Sequence, residues 1–199
     1  LVRFLRWART QHLTRLKSDY RTQVKRGPTV SDDQRWEGVR TLLTREDISL
    51  GPRVVGLLTL LFGVPVTRIV TLRRTAVTLD EKKITVAFGP DPVQLPPLLA
   101  ELLRRVIETP PRSPLVDDKW VFRGLRPGAH LANGSVSASL RPAGISVQQG
   151  RLVALTNLSR DLQPAVVADL IGVTAVTAAR WSTHAGGDWG IYPMLRDSP

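Results

Sequence analysis

Leu60-Leu61-Phe62-Gly63-Val64-Pro65-Val66-Thr67-Arg68-Ile69-Val70-Thr71-Leu72 is the stretch on which the fold reading turns. It completes an apolar run that starts at Val54 and is interrupted by Gly56, Thr59 and Gly63. The run is too short to span a bilayer, and the apolar segment from Leu50 to Phe62 reads as a buried helix. Val66 to Leu72 reads as a short further helix. Between them stands Pro65, which has no charge and no side-chain donor and so cannot hold an anion.

Upstream, Ser31-Asp32-Asp33-Gln34 has the spacing of an N-cap with its capping-box partner. It opens a helix through about Thr44 with Trp36, Val39, Leu42 and Leu43 inward. Residues 2–25 place Phe4, Leu5, Trp7, Ala8, Leu13, Leu16, Tyr20 and Val24 at a broken helical spacing against a heavily basic opposite face. Gly27-Pro28 ends that helix. The expected organisation is a basic helix over 1–27, a linker over 28–31 and one domain over 32–199.

At 199 residues, with 42% hydrophobic content and mean hydropathy −0.06, the chain can bury a real core, and wholesale disorder is excluded. Leu1 to Arg9 offers no apolar signal-peptide segment, and the lack of an initiator methionine implies a longer parent protein. Zero cysteines exclude disulfides and cysteine-ligated metals and fit a cytoplasmic location. A net charge of +11 points to a polyanionic partner, most simply nucleic acid. Arginine supplies 23 of the 28 basic residues, a bias that a high-GC bacterial genome also produces. The distribution says more. Residues 1–26 carry Arg3, Arg6, Arg9, Arg15, Lys17, Arg21, Lys25 and Arg26 against Asp19 alone, a net of +7, while residues 151–199 are neutral.

Downstream, Lys83 to Phe88 alternates, Gly89-Pro90-Asp91-Pro92 turns and Val93-Gln94-Leu95 returns, the pattern of a hairpin. Pro96-Pro97 starts a helix through about Ile107. Trp120-Val121-Phe122 reads as a short buried strand, and Arg126-Pro127-Gly128 as a turn. Further helices are expected near Gly134–Leu140, Gly150–Arg160, Pro164–Leu170 and Thr174–Thr183. The fold class is mostly α with a small antiparallel sheet (α+β).

The opening stretch, read as Leu-Leu-aromatic-Gly-x-x-x-Thr-Arg-Ile-x-x-Leu, resembles the first signature box of the tyrosine recombinase (phage integrase) family. The resemblance extends over roughly residues 32–192. Arg74 to Asp80 followed by Lys83 to Val86 matches the family's approach to its sheet, and Val93-Gln94-Leu95-Pro96-Pro97-Leu98-Leu99 matches the segment after it. The basic front helix resembles the end of the family's separate DNA-clamping domain. Active members hold a phosphate with two arginines, a lysine in the sheet turn and two histidine-like positions, and attack it with a tyrosine. By this resemblance the first arginine slot is Pro65, and no lysine lies between Phe88 and Val93. Lys82 and Lys83 precede the strand and serve only if the turn is redrawn. The His-x-x-Arg box becomes Gln148-Gln149-Gly150-Arg151, the third-box histidine becomes Val173, and the tyrosine slot becomes Ser182. One of six roles survives, in Arg151. Losing a single charge-stabilising donor costs on the order of 10²–10³ in rate. Tyr192 is the one alternative nucleophile, at a longer spacing than the family uses.

Val166 to Trp181 also resembles a helix-turn-helix, with Thr174, Thr177 and Arg180 as its polar face; two core helices around a tight glycine turn are the preferred reading of the same residues. Trp36 and Trp120 are expected in the core rather than as base-stacking platforms. His12, His130 and His184 have no metal-ligand spacing, so no metal and no cofactor is expected. The resemblance implies a protein that binds double-stranded DNA through its N-terminal cations with Arg73, Arg74, Arg151 and Arg180, and does not cut it. Its alternatives are an active recombinase using Tyr192, and a regulator or protein-interaction module on the decayed fold. The segment Tyr192 to Pro199 could pack on a second copy, as in the family, and no membrane partner is expected.

Overall fold

The computed structural model describes residues 30–80, 83–110 and 119–184. The basic front helix with its eight cations therefore lies outside the described residues, as do Lys82 and Tyr192. Helix α1 spans Asp32–Thr44, α2 Leu50–Phe62 and α3 Val66–Val70. Strands β1 (Val77–Leu79), β2 (Ile84–Ala87) and β3 (Pro92–Gln94) follow. Then come α4 (Pro97–Glu108), α5 (Asn133–Leu140), α6 (Val147–Asp161), α7 (Pro164–Ile171) and α8 (Ala175–His184). None of the described helices is long and apolar enough to cross a membrane.

The capping box forms as its sequence dictates. The Gln34 amide donates to Ser31 Oγ at 3.2 Å, and the Ser31 amide donates to Gln34 Oε1 at 2.9 Å. Helix α2 is the hub: nearly apolar all round, it packs against α1, α4, α5 and α6. Val54, Val55, Leu57 and Leu58 lose all contact with solvent, each burial being worth roughly 1.5–3 kcal/mol. Gly150 lets α6 approach α2, since a Cβ there would stand 2.2 Å from Leu60 Cδ2. The sheet is antiparallel in the order β1-β2-β3, with Thr78 opposite Thr85 and Val86 opposite Val93. Ile84 and Val86 supply its buried face.

Two expectations fail. Trp36 is 42% exposed, and its neighbour Arg35 is buried instead. Arg35 finds the acceptors a buried guanidinium needs: Nε donates to Asp32 Oδ1 at 2.7 Å and Nη1 to the Leu60 carbonyl at 2.8 Å. The Trp36 ring lies over that guanidinium, 4.5 Å from its carbon to the ring centre. Second, Trp120-Val121-Phe122 is no strand. Val121 N–H bonds Leu72 on one side and Phe122 C=O accepts from Leu131 on the other, so no ladder extends beyond single bridges. Val121 and Phe122 are buried as expected, but Trp120 is only half-buried and donates its Nε1–H to the Gly128 carbonyl at 2.9 Å.

Candidate nucleic-acid interface

The signature stretch breaks between two helices. Gly63 ends α2 in the left-handed region, and Pro65 caps α3 with φ −63° and ψ 139°. The Pro65 carbonyl accepts from Arg68 and Ile69 amides at 2.9 and 3.1 Å. At the first arginine slot the chain thus has a helix starter with no donor of its own.

Arg151 approaches that break from α6. Its Nε donates to the Gly63 carbonyl at 2.8 Å, satisfying a group that the end of α2 leaves open. Half-burial pushes the guanidinium pKa down from its ordinary value, yet an arginine remains charged at neutral pH. The other N–H groups of Arg151 have no acceptor among the described residues. Gln148, in the first-histidine slot, stands one turn earlier on the same helix and is exposed.

A second junction closes the site. Arg68 Nη1 donates to the carbonyl of Gly172, the left-handed cap of α7. A Cβ on Gly172 would come within 2.3 Å of the Phe88 carbonyl, and one on Gly89 within 1.7 Å of the Asp169 carbonyl. The hairpin turn after β2 therefore lies backbone to backbone on the α7–α8 turn, which only glycines permit. Phe88 is buried with its ring centre 6.0 Å from that of Phe62. The turn expected to carry a lysine in an active enzyme has neither the residue nor, at Gly89, the room. Lys83 is exposed at the far end of β2.

Val173 follows Gly172, half-buried against the core. Ser182, on α8, is 4% exposed, and its Oγ has no hydrogen-bond partner among the described residues. The structure thus brings the Pro65 break, Arg151 and the Val173 turn together, keeps Gln148 at the rim and seals Ser182 inside. The helix–turn–helix geometry of α7 and α8 is present, as both readings of that segment required. Thr174 and Thr177 are engaged with each other, their hydroxyls 2.9 Å apart at the start of α8. Arg73 is exposed, whereas Arg74 is turned inward and donates to the Ile107 carbonyl at 3.3 Å. Arg180 sits on α8, with its side chain outside the described residues. His130 Nδ1 lies 2.9 Å from the Leu131 carbonyl. The sequence reading passes over Arg68; its signal was the single charge in the thirteen residues first quoted.

Helices closing on a three-stranded antiparallel sheet, with later helices returning to the glycine break after α2, make the fold of the tyrosine recombinase catalytic domain. Solved structures with this fold include the XerH site-specific recombinase bound to palindromic difH substrate in a post-cleavage complex, with TM-score 0.58 and 16% identity. That match covers 93% of this chain and 57% of the other, so the chain spans little more than half the length of that recombinase. The Tn1549 transposon integrase in complex with circular intermediate DNA matches with TM-score 0.57 and 12% identity over 87% of this chain and 69% of the other. A lambda integrase dimer bound to a COC′ core site gives 0.51 and 14% over 93% and 57%. No family model and no curated protein matches the sequence.

Proposed function

We propose that this protein binds double-stranded DNA through a tyrosine-recombinase fold and does not cleave it. The observation that carries the reading is the pairing of Pro65 with Arg151. The one guanidinium kept at a family slot, that of Arg151, is anchored to Gly63, and the residue at the other arginine slot, Pro65, has no side-chain donor. Transfer of a phosphoryl group needs charge neutralisation where the phosphorane develops and a proton donor for the leaving oxygen. Pro65, Val173 and the lysine-free turn supply neither, and Ser182 is buried where no phosphate reaches. Binding needs less: cations facing a backbone, which the front segment and the exposed arginines offer. DNA binding would place the protein on the nucleoid, and the family resemblance is what offers Tyr192 to Pro199 as a segment for packing on a second copy.

The test has two arms. Duplex binding is followed by fluorescence anisotropy between about 50 and 200 mM salt, where affinity should fall steeply. Separately, the protein is incubated with supercoiled DNA and probed for a covalent phosphotyrosyl adduct. No adduct is expected; an adduct lost in Tyr192→Phe would establish an active recombinase. A chain that binds a protein partner but no duplex would instead be an interaction module.

A further inference from the structure

Beside the Arg68–Gly172 junction lies an open cleft of about 450 Å³ between the last turn of α3, the crossing at residues 72–76 and the end of β2. Arg68, Thr71, Arg73 and Thr75 line it, Phe88 forms part of its wall, and no carboxylate is among its lining residues. Arg73 is exposed and makes no hydrogen bond through its guanidinium among the described residues. Its guanidinium carbon lies 6.0 Å from the centre of the Trp120 ring, and Lys119 Nζ lies 5.3 Å from the same ring. The isolated bridge between Arg73 and Trp120 fixes that arrangement through the backbone. After its bond to Gly172, the other N–H groups of Arg68 have no acceptor among the described residues. The Thr71 hydroxyl is spent on the Thr67 and Arg68 carbonyls, whereas Thr75 is exposed and its hydroxyl has no partner among the described residues.

The geometry points to this cleft as an anion site that takes a backbone phosphate of duplex DNA, held between Arg68 and Arg73 with the Thr75 hydroxyl as a further donor. Lys119 continues the same cationic strip past the indole face. Two arginines lining one cleft that has no carboxylate among its lining residues favour an anion, and donors to a phosphate oxygen from planar forks hold it with direction as well as charge. The open shape suits a phosphate presented on a polymer rather than an engulfed small molecule. This inference rests on the DNA-binding reading and adds Arg68 and Thr75 to its contacts.

The experiment uses the full chain and a fluorescent duplex, titrated across a salt series. Arg73→Ala and Thr75→Asp should each weaken binding about tenfold. Arg73→Ala should also lower the slope of log K against log salt by about one. Arg68→Lys keeps the charge but loses the planar fork and should weaken binding as well. Unfolding midpoints taken alongside check that Arg73→Ala and Thr75→Asp, both surface changes, leave the fold intact. If wild type binds and these two variants match it in affinity and slope, the cleft assignment is overturned and the DNA reading stands. If wild type binds no duplex even at low salt, both fall. Inorganic phosphate that binds in an Arg73-dependent way and fails to compete with the duplex would assign the cleft to a free anion and overturn the DNA contact.

Discussion

Arg35 and Gly89 show how much single residues decide here. Buried arginine is costly unless each donor is matched, and Arg35 is matched by Asp32 and the Leu60 carbonyl. The Arg35 hydrogen bond is the main cause that holds the Asp32 carboxyl below its ordinary range, helped by the Arg35 charge and the Asn157 amide. A depressed acid stabilises the fold fully above its unfolded pKa and loses that contribution as pH falls through the folded pKa. Wild type should therefore lose more stability than Asp32→Asn as pH falls below about 4, measured as thermal midpoints. Parallel curves for the two proteins would refute the pairing. At Gly89 an added methyl would meet the Asp169 carbonyl, which is backbone and cannot swing away. At Gly150 it would meet only the end of the Leu60 side chain. Gly89→Ala should thus cost about 3 kcal/mol in urea unfolding and Gly150→Ala about 1. The reverse order would show that the hairpin turn is not clamped.

Among the elements, the described helices were largely legible in advance, because apolar spacing, capping residues and glycine or proline stops agree with one another at each boundary. Ser31 and Gln34 start α1, Gly63 stops α2, Pro96-Pro97 starts α4 and Gly172 stops α7. Legibility ended where tertiary partners decide. Nothing near Trp36 reveals that Arg35 would find the Leu60 carbonyl twenty-five residues away. Likewise a three-residue apolar run cannot say whether Val121 and Phe122 meet one neighbour strand or two separate segments. The bond from Arg151 to Gly63 and the reach of Arg68 to Gly172 are products of packing. A shared device emerges from these contacts: arginines satisfy the open carbonyls at the ends of neighbouring helices. Arg53 donates to Leu42 and Leu43 at the end of α1, both at 3.0 Å, where the helix dipole also favours a cation. Arg53→Met should leave both carbonyls without that donor and cost about 3 kcal/mol. Arg53→Lys, lacking the fork, should recover only part. Equal stability of all three proteins by chemical denaturation would dismiss the capping role.

On the scale of the whole molecule, this device divides the cations into two populations that the net charge of +11 does not distinguish. Arg35, Arg53, Arg68, Arg74, Arg123 and Arg151 each donate to a carbonyl at or near a helix end, so their positions are set by folding, and of these Arg68 also lines the cleft. Arg73 and Lys119, among the described residues, carry charge without such an anchor to a helix end. Counterion release counts contacts made to phosphate, not charge in the sequence. The two populations should therefore respond to substitution in opposite ways. Replacing Arg3, Arg6 and Arg9 together by alanine should reduce the salt slope of duplex binding by about three and leave the unfolding midpoint unchanged. Arg53→Met should do the converse, shifting the midpoint and sparing the slope. Anisotropy titrations and urea melts on the same two variants measure both. A front-segment variant with wild-type salt dependence would mean that the +7 segment does not touch the duplex, and would leave the recombinase-like domain to bind it alone.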